Sequence, residues 1–209
     1  MAPIMKRLKT LIFACVLISS PIFATTQTAA DQLAQLLDRF MTMQANFTEQ
    51  TLDTQGRDVA RSNGTVMIAR PGKFRWETES PTHQIVMTNG KILWIYDVDL
   101  KQATEQPISQ SVMSPARLLS GDAKNTLTQF NITIDAQPSM TTFHLIPIKN
   151  DMPFRDVVMR FVQQQLRVIQ VQTNLSQMNV FMFSNMKGNV SLPNALFNFV
   201  PPKDVEVLQ

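Results

Sequence analysis

Arg70-Pro71-Gly72-Lys73-Phe74-Arg75-Trp76 is a turn feeding a strand, and the fold is read outward from it. Pro71 fixes φ and Gly72 permits a positive one, so the pair breaks regular structure. Beyond it Phe74, Trp76 and Thr78 alternate with Lys73, Arg75, Glu77 and Glu79. That spacing puts large rings on one face of a strand and charges on the other. The same period of two predicts strands over 46–54, 59–69, 73–79, 83–88, 91–97 and 101–107. They are separated by Gln55-Gly56, Pro71-Gly72, Ser80-Pro81 and Asn89-Gly90. Asn-Gly between two apolar runs is a strong hairpin signal, because both residues tolerate positive φ. Tight turns between short strands make an antiparallel meander.

Helical spacing flanks and interrupts that meander. Leu33, Leu36, Leu37 and Phe40 form one apolar stripe behind Asp31, a candidate N-cap or first-turn acid, and this helix gives way near Met43. Ser114-Pro115-Ala116-Arg117-Leu118-Leu119-Ser120-Gly121 has an N-cap serine, a proline at the first helical position and a glycine past the end. A second brief helix is expected over 123–127. Strands resume over 130–136, 141–147, 155–163, 166–173 and 178–185, giving about eleven in all. A tail follows, Phe197-Asn198-Phe199-Val200-Pro201-Pro202, whose prolines stop a ladder. The fold class is mainly β (α+β). A sheet this long curls and must cover its apolar face, and the helices are the amphipathic pieces available to do so.

The amino terminus carries an address. Lys6, Arg7 and Lys9 precede the apolar run 11–18, and small residues follow. This is the layout of a secretory signal peptide, too short to span a bilayer. Cleavage is placed after Ala24, with Ala30 as the alternative, which leaves residues 25–209 as a single domain. The leader removes three of the 19 basic residues, so 16 balance the 16 acids in the remainder. The result is no electrostatic footprint for nucleic acid. The single cysteine, Cys15, leaves too, so an exported chain must rest on its core without disulfides. Acylation at Cys15 is disfavoured, because it would leave only residues 11–14 as the apolar region. Eleven of the 13 methionines remain. They lean slightly towards an interior that accepts varied apolar ligands, with an ordinary core as the alternative.

Catalytic patterns are not found. His83 and His144 stand apart, with no metal-ligand spacing around them. There is no nucleophile elbow, phosphate-cradling glycine loop or dinucleotide fingerprint. Asp97 and Asp99 read as a turn rather than an acid–base pair. Neither an enzyme nor a cofactor or metal is expected.

The run from Arg70 to Trp76, followed by Asn89-Gly90-Lys91-Ile92-Leu93-Trp94-Ile95-Tyr96-Asp97, resembles the periplasmic outer-membrane lipoprotein carrier family, LolA. The segment 114–121 resembles that family's lid. Phe197-Asn198-Phe199-Val200-Pro201-Pro202-Lys203-Asp204-Val205-Glu206-Val207 resembles its carboxy-terminal motif, with Asp204 where glycine is usual. The resemblance implies an incomplete antiparallel β-barrel with a helical lid over an apolar cavity. It implies a periplasmic chaperone, expected to be a monomer, that binds the acyl chains of lipoproteins. The partners implied are an inner-membrane ABC transporter, LolCDE, and an outer-membrane receptor, LolB. It makes Arg70 the latch that hydrogen-bonds the lid backbone, and Phe74 and Trp76 rings at the cavity. Leu33, Leu36, Leu37, Phe40, Leu118 and Leu119 are the expected lid side of that cavity. A LolB-like receptor and a lipoprotein-sensing regulatory domain are the alternatives. The first needs a lipobox cysteine that this leader lacks, and the second usually needs a further domain. A membrane-spanning barrel is excluded by the charged face of the Phe74 strand.

Overall fold

A computed structural model describes residues 27–208, so the expected leader, 1–24, and Cys15 lie outside the described residues. The elements are α1 (Ala29–Asp38), β1 (Thr42–Leu52), β2 (Asp58–Ala69), β3 (Lys73–Ser80), β4 (Gln84–Thr88), β5 (Ile92–Asp97) and β6 (Gln102–Pro107). After them come α2 (Pro115–Ser120), α3 (Ala123–Leu127), β7 (Phe130–Ala136), β8 (Met140–Pro147), β9 (Phe154–Val162), β10 (Gln165–Thr173), β11 (Met178–Gly188) and β12 (Glu206–Leu208).

All twelve strands form one sheet in the order β12-β6-β5-β4-β3-β2-β1-β11-β10-β9-β8-β7. Two antiparallel meanders therefore meet along the β1–β11 pair, and β7 and β12 remain as open edges. This is an incomplete barrel. Curvature follows from side-chain distances. β3 and β11 are three strand intervals apart, about 14 Å on a flat sheet, yet the rings of Trp76 and Phe181 lie 5.5 Å apart. The sheet curls inward on the face that carries Trp76.

Connectivity dictates what covers that concave face. The chain leaves β6 beside one edge and enters β7 at the other, so residues 108–129, with α2 and α3, must cross the opening. Ser114 caps α2 by accepting from the Arg117 N–H, with Pro115 at its first position, as the sequence predicts. Asp31 is the first-turn acid of α1 rather than its N-cap, three residues past the cap. Thr28 is the N-cap, and Asp31 returns a hydrogen bond to it in a capping box. Leu33, Leu37, Leu118, Leu119, Phe74, Val66 and Phe161 are buried in one continuous core between helices and sheet. That core is filled, with Met43 and Met159 inside it.

The convex face holds a second apolar layer. Ile85, Met87 and Ala103 are buried there outside the main core, beneath the carboxy-terminal segment that brings Phe197 and Phe199 across. Phe199 packs on Trp94 and Tyr96, with ring centroids 5.1 Å and 5.0 Å away. The prolines at 201–202 do not end the sheet. Past them Glu206 N–H donates to the Lys101 carbonyl and β12 pairs parallel with β6, a strand of three residues and too short to show a period. Asp204 does not take up a positive φ. Its carboxylate pairs with Lys101 Nζ at 2.7 Å, and Lys101 is the residue in the left-handed region.

Candidate functional site: helices packed over an apolar wall

The Phe74–Trp76 strand carries its two rings onto the concave face as expected. Phe74 is 1% exposed, against Ile68 across the β2–β3 ladder. Trp76 is half-buried at the centre of an aromatic group, 4.5 Å from Phe47, 5.5 Å from Phe181 and 6.2 Å from Phe183. The last two contacts are edge-on, the arrangement that the ring quadrupoles favour, each worth about 0.5–1.5 kcal/mol beyond burial. Phe47, Phe181 and Phe183 are missing from the sequence reading, which followed the Arg70 strand. Their signal was alternation, of Met43, Ala45 and Phe47 along β1 and of Phe181 and Phe183 along β11.

The expected lid residues divide into two groups. Leu36, Leu37, Phe40 and Leu119 come together with Arg70 around one small cavity, whose floor is Met43, Ile68, Phe161 and Leu166. Leu33 and Leu118 are packed elsewhere in the core. The cavity measures about 20 Å³, which holds roughly one water and no acyl chain. The lid is shut. A wider cleft of about 240 Å³ opens at its rim, where Phe74 meets Ile108, Met113 and Arg117.

Arg70 sits at this junction with 7% of its side chain exposed. The hydrogen bond expected from it to a lid carbonyl is made by its neighbour: Gly72, at φ +81°, aims its N–H at the carbonyl of Ser120, 2.7 Å away at the end of α2. Arg70 Nη1 instead donates to Asp38 Oδ1 at 2.9 Å. Asp38 is the last residue of α1, so the guanidinium also lies at that helix's negative end. Burial lowers the arginine pKa, while Asp38 and Asp122, the N-cap of α3, favour the charge. The turn thus holds all three lid helices: α2 by a backbone hydrogen bond, α1 by an ion pair and α3 by a longer-range attraction. Asp38 was out of reach of the sequence reading, since 32 residues separate it from Arg70.

One acid breaks the apolar wall. By the parity of Ala45 and Phe47, Glu49 also faces inward, opposite Ser62 on β2 and Phe181 on β11. Ser62 Oγ donates to Glu49 Oε2 at 2.9 Å. Burial pushes the Glu49 carboxyl above its ordinary range, and the Ser62 hydrogen bond only partly offsets that. A group whose folded pKa is raised favours the fold below its unfolded pKa and loses that contribution as pH rises through the folded value. Glu49→Gln is therefore expected to raise the urea midpoint at pH 7, with the gap closing below about pH 4. Equal midpoints at pH 7 would show that the carboxylate is well solvated.

On the convex face Arg75 and His83 both pair with Glu77, at 2.8 Å and 2.9 Å. Asp97 accepts the Leu100 N–H within its turn, and Asp99 accepts the N–H of His83 in the connection between β3 and β4. Among the described residues no three His, Cys, Asp or Glu side chains cluster as metal ligands would.

Comparison with known proteins agrees with this geometry. The family described as "Outer membrane lipoprotein carrier protein LolA" matches residues 38–200. An outer-membrane lipoprotein carrier protein of Coxiella burnetii (strain RSA 331 / Henzerling II) is 45% identical over 192 residues, 91% of each chain. One from Azotobacter vinelandii is 34% identical over 204 residues, 95% of this chain and 99% of that one. A solved structure described as an uncharacterized conserved protein from Thermus thermophilus has a TM-score of 0.55 at 12% identity, over 87% of this chain and 99% of the other, a likeness of fold alone. The match runs from the end of α1 through the lid and both meanders into the tail, and this chain belongs to the LolA family of outer-membrane lipoprotein carrier proteins.

Proposed function

We propose that this chain works in the periplasm as a carrier, not a catalyst, taking lipoproteins by their acyl chains and delivering them to the outer membrane. Cleavage after Ala24 belongs to this reading, since it leaves Thr28 to cap α1, whereas cleavage after Ala30 would remove that cap. The observation that carries it is the shut lid over a wall of rings, with a cavity of only about 20 Å³ beneath. Each acyl methylene left in water costs about 0.8 kcal/mol, so a chain crossing an aqueous gap needs an apolar shelter. This protein holds that shelter filled by its own α1 and α2 side chains until a ligand displaces them. Closing again opposes much of the ligand's burial, so cargo is held only tightly enough to be passed on. LolCDE would supply the cargo and LolB receive it, with one carrier per lipoprotein.

The test is to incubate the mature chain with inner-membrane vesicles and ATP. A soluble one-to-one complex with a lipoprotein is the expected result. Lipoprotein that stays with the vesicles at every carrier concentration removes the carrier reading.

A further inference from the structure

Glu49 has no role in the latch or the lid, and an apolar wall has no evident need of it. Several other carboxylates are engaged with cations or backbone N–H groups: Asp38 with Arg70, Glu77 with Arg75, Asp204 with Lys101, Asp97 with the Leu100 N–H and Asp99 with the His83 N–H. Glu49 takes part in no ion pair among the described residues. The nearest basic side chain along β2, Arg61, alternates to the other face and pairs with Asp58. Ser62 donates to Oε2, and Oε1 receives no hydrogen bond from the described residues. The carboxylate is thus oriented, half-buried beside Phe47 and Phe181, and has one acceptor oxygen to spare. Its place along the wall also matters. Met43, at the cavity under the lid, is six residues back along β1, about 20 Å at the rise of a strand. A long acyl chain with its tail towards the lid lies along that stretch and brings its head to Glu49.

We propose that Glu49, steadied by Ser62, is the polar docking point for the head of the bound lipid, accepting the amide N–H that joins an acyl chain to the amino-terminal residue of the cargo. This rests on the acyl-carrier reading and adds a chemical preference to it. An acyl amide has the N–H that a spare carboxylate oxygen needs. An acyl ester has only acceptors, and a free fatty acid brings a second negative charge. The wall then favours acylated peptides over the esters and fatty acids that a membrane also offers.

The experiment compares the affinities of two probes for the mature chain by displacement of an environment-sensitive fluorophore. The probes are an N-palmitoyl dipeptide amide and methyl palmitate. The native chain is expected to prefer the amide by about tenfold, the range of one hydrogen bond to a charged group. Glu49→Leu should erase the preference and leave the ester affinity unchanged or higher, and Glu49→Gln, which keeps an oxygen acceptor, should retain part of it. Glu49→Leu removes a buried charge and is expected to fold, with the glutamine variant as a second check. A preference that survives Glu49→Leu, or equal weakening of both probes, overturns the proposal. So does a native chain that binds both probes alike, and that result leaves the carrier reading standing. A native chain that binds neither probe removes the carrier reading and this proposal with it.

Discussion

Gly64→Ala is expected to lower stability by about 3 kcal/mol or more, a large share of the whole. Gly64 lies inside β2, opposite Phe47, where the β2–β3 ladder shifts register between Asn63 and Gly64. A Cβ built there meets the Glu77 carbonyl oxygen at 1.8 Å and its carbon at 2.8 Å. Both are backbone atoms of a paired strand, so no side chain can swing aside to make room. The close approach is part of the curl that brings Trp76 over Phe47, and flattening it pulls the aromatic group apart. Overpacking of a rigid site costs about 1–3 kcal/mol and occasionally more. A backbone clash belongs at the upper end, against a total stability of about 5–15 kcal/mol. Gly188→Ala is the internal comparison. There the added Cβ meets the ring of Phe40 at 2.1 Å, a side chain that can move, so the loss should be smaller. Urea midpoints decide it: a Gly64→Ala midpoint at or above that of Gly188→Ala would show that β2 and β3 separate easily.

How far the fold could be read depended on what covers each face of a strand. On β3 one face meets the core and the other carries Arg75 and Glu77, so the alternation was plain. On β4 and β5 the runs Ile85-Val86-Met87 and Leu93-Trp94-Ile95 are apolar throughout and show no period. The structure supplies the reason: Val86 and Ile95 face the core, while Met87 and Trp94 face the convex layer under the tail. Both faces are covered, so both are apolar. The tail was legible only as rings before prolines, because β12 is set by its partner β6 rather than by its own pattern. The lid helices were legible through their caps, Ser114 and Pro115, and through the stripe 33–37, whereas Phe40 lies past the end of α1 at Asp38 and β1 has already begun at Thr42. Their attachment was not, since Asp38 meets Arg70 and Gly72 meets Ser120 only after the chain has crossed the sheet. Glu49 was hidden differently. It obeys the inward parity of Ala45 and Phe47 but has the wrong polarity for that face, which is how a functional position departs from the pattern around it.

Arg70→Leu is expected to load cargo and then fail to hand it on. In the shut state the guanidinium is almost fully buried but engaged, with Asp38 on α1 and Asp122 at the start of α3. When a ligand lifts those helices the partners leave with them, and the charge stays on the wall beside Ile68 and Met43. An acyl chain laid over it must then cover an unpaired cation. The loaded state is raised by that desolvation and the shut state lowered by the ion pair, and both push cargo towards release. Leucine removes both effects and adds apolar wall. If the difference amounts to about 2 kcal/mol, transfer from carrier to receptor slows roughly thirtyfold while loading is preserved. Stability should change little, because Asp38 is 53% exposed and returns to water once its partner is gone. Asp38→Ala is the opposite case: it strands the guanidinium in the shut state at a cost of about 1–3 kcal/mol, lowering stability and favouring an open lid without making the wall more apolar. The two ends of one ion pair thus give different phenotypes, slow release for Arg70→Leu and reduced stability for Asp38→Ala. Native transfer rates from an Arg70→Leu carrier, measured with lipoprotein already bound, would show that closure of the lid does not drive release.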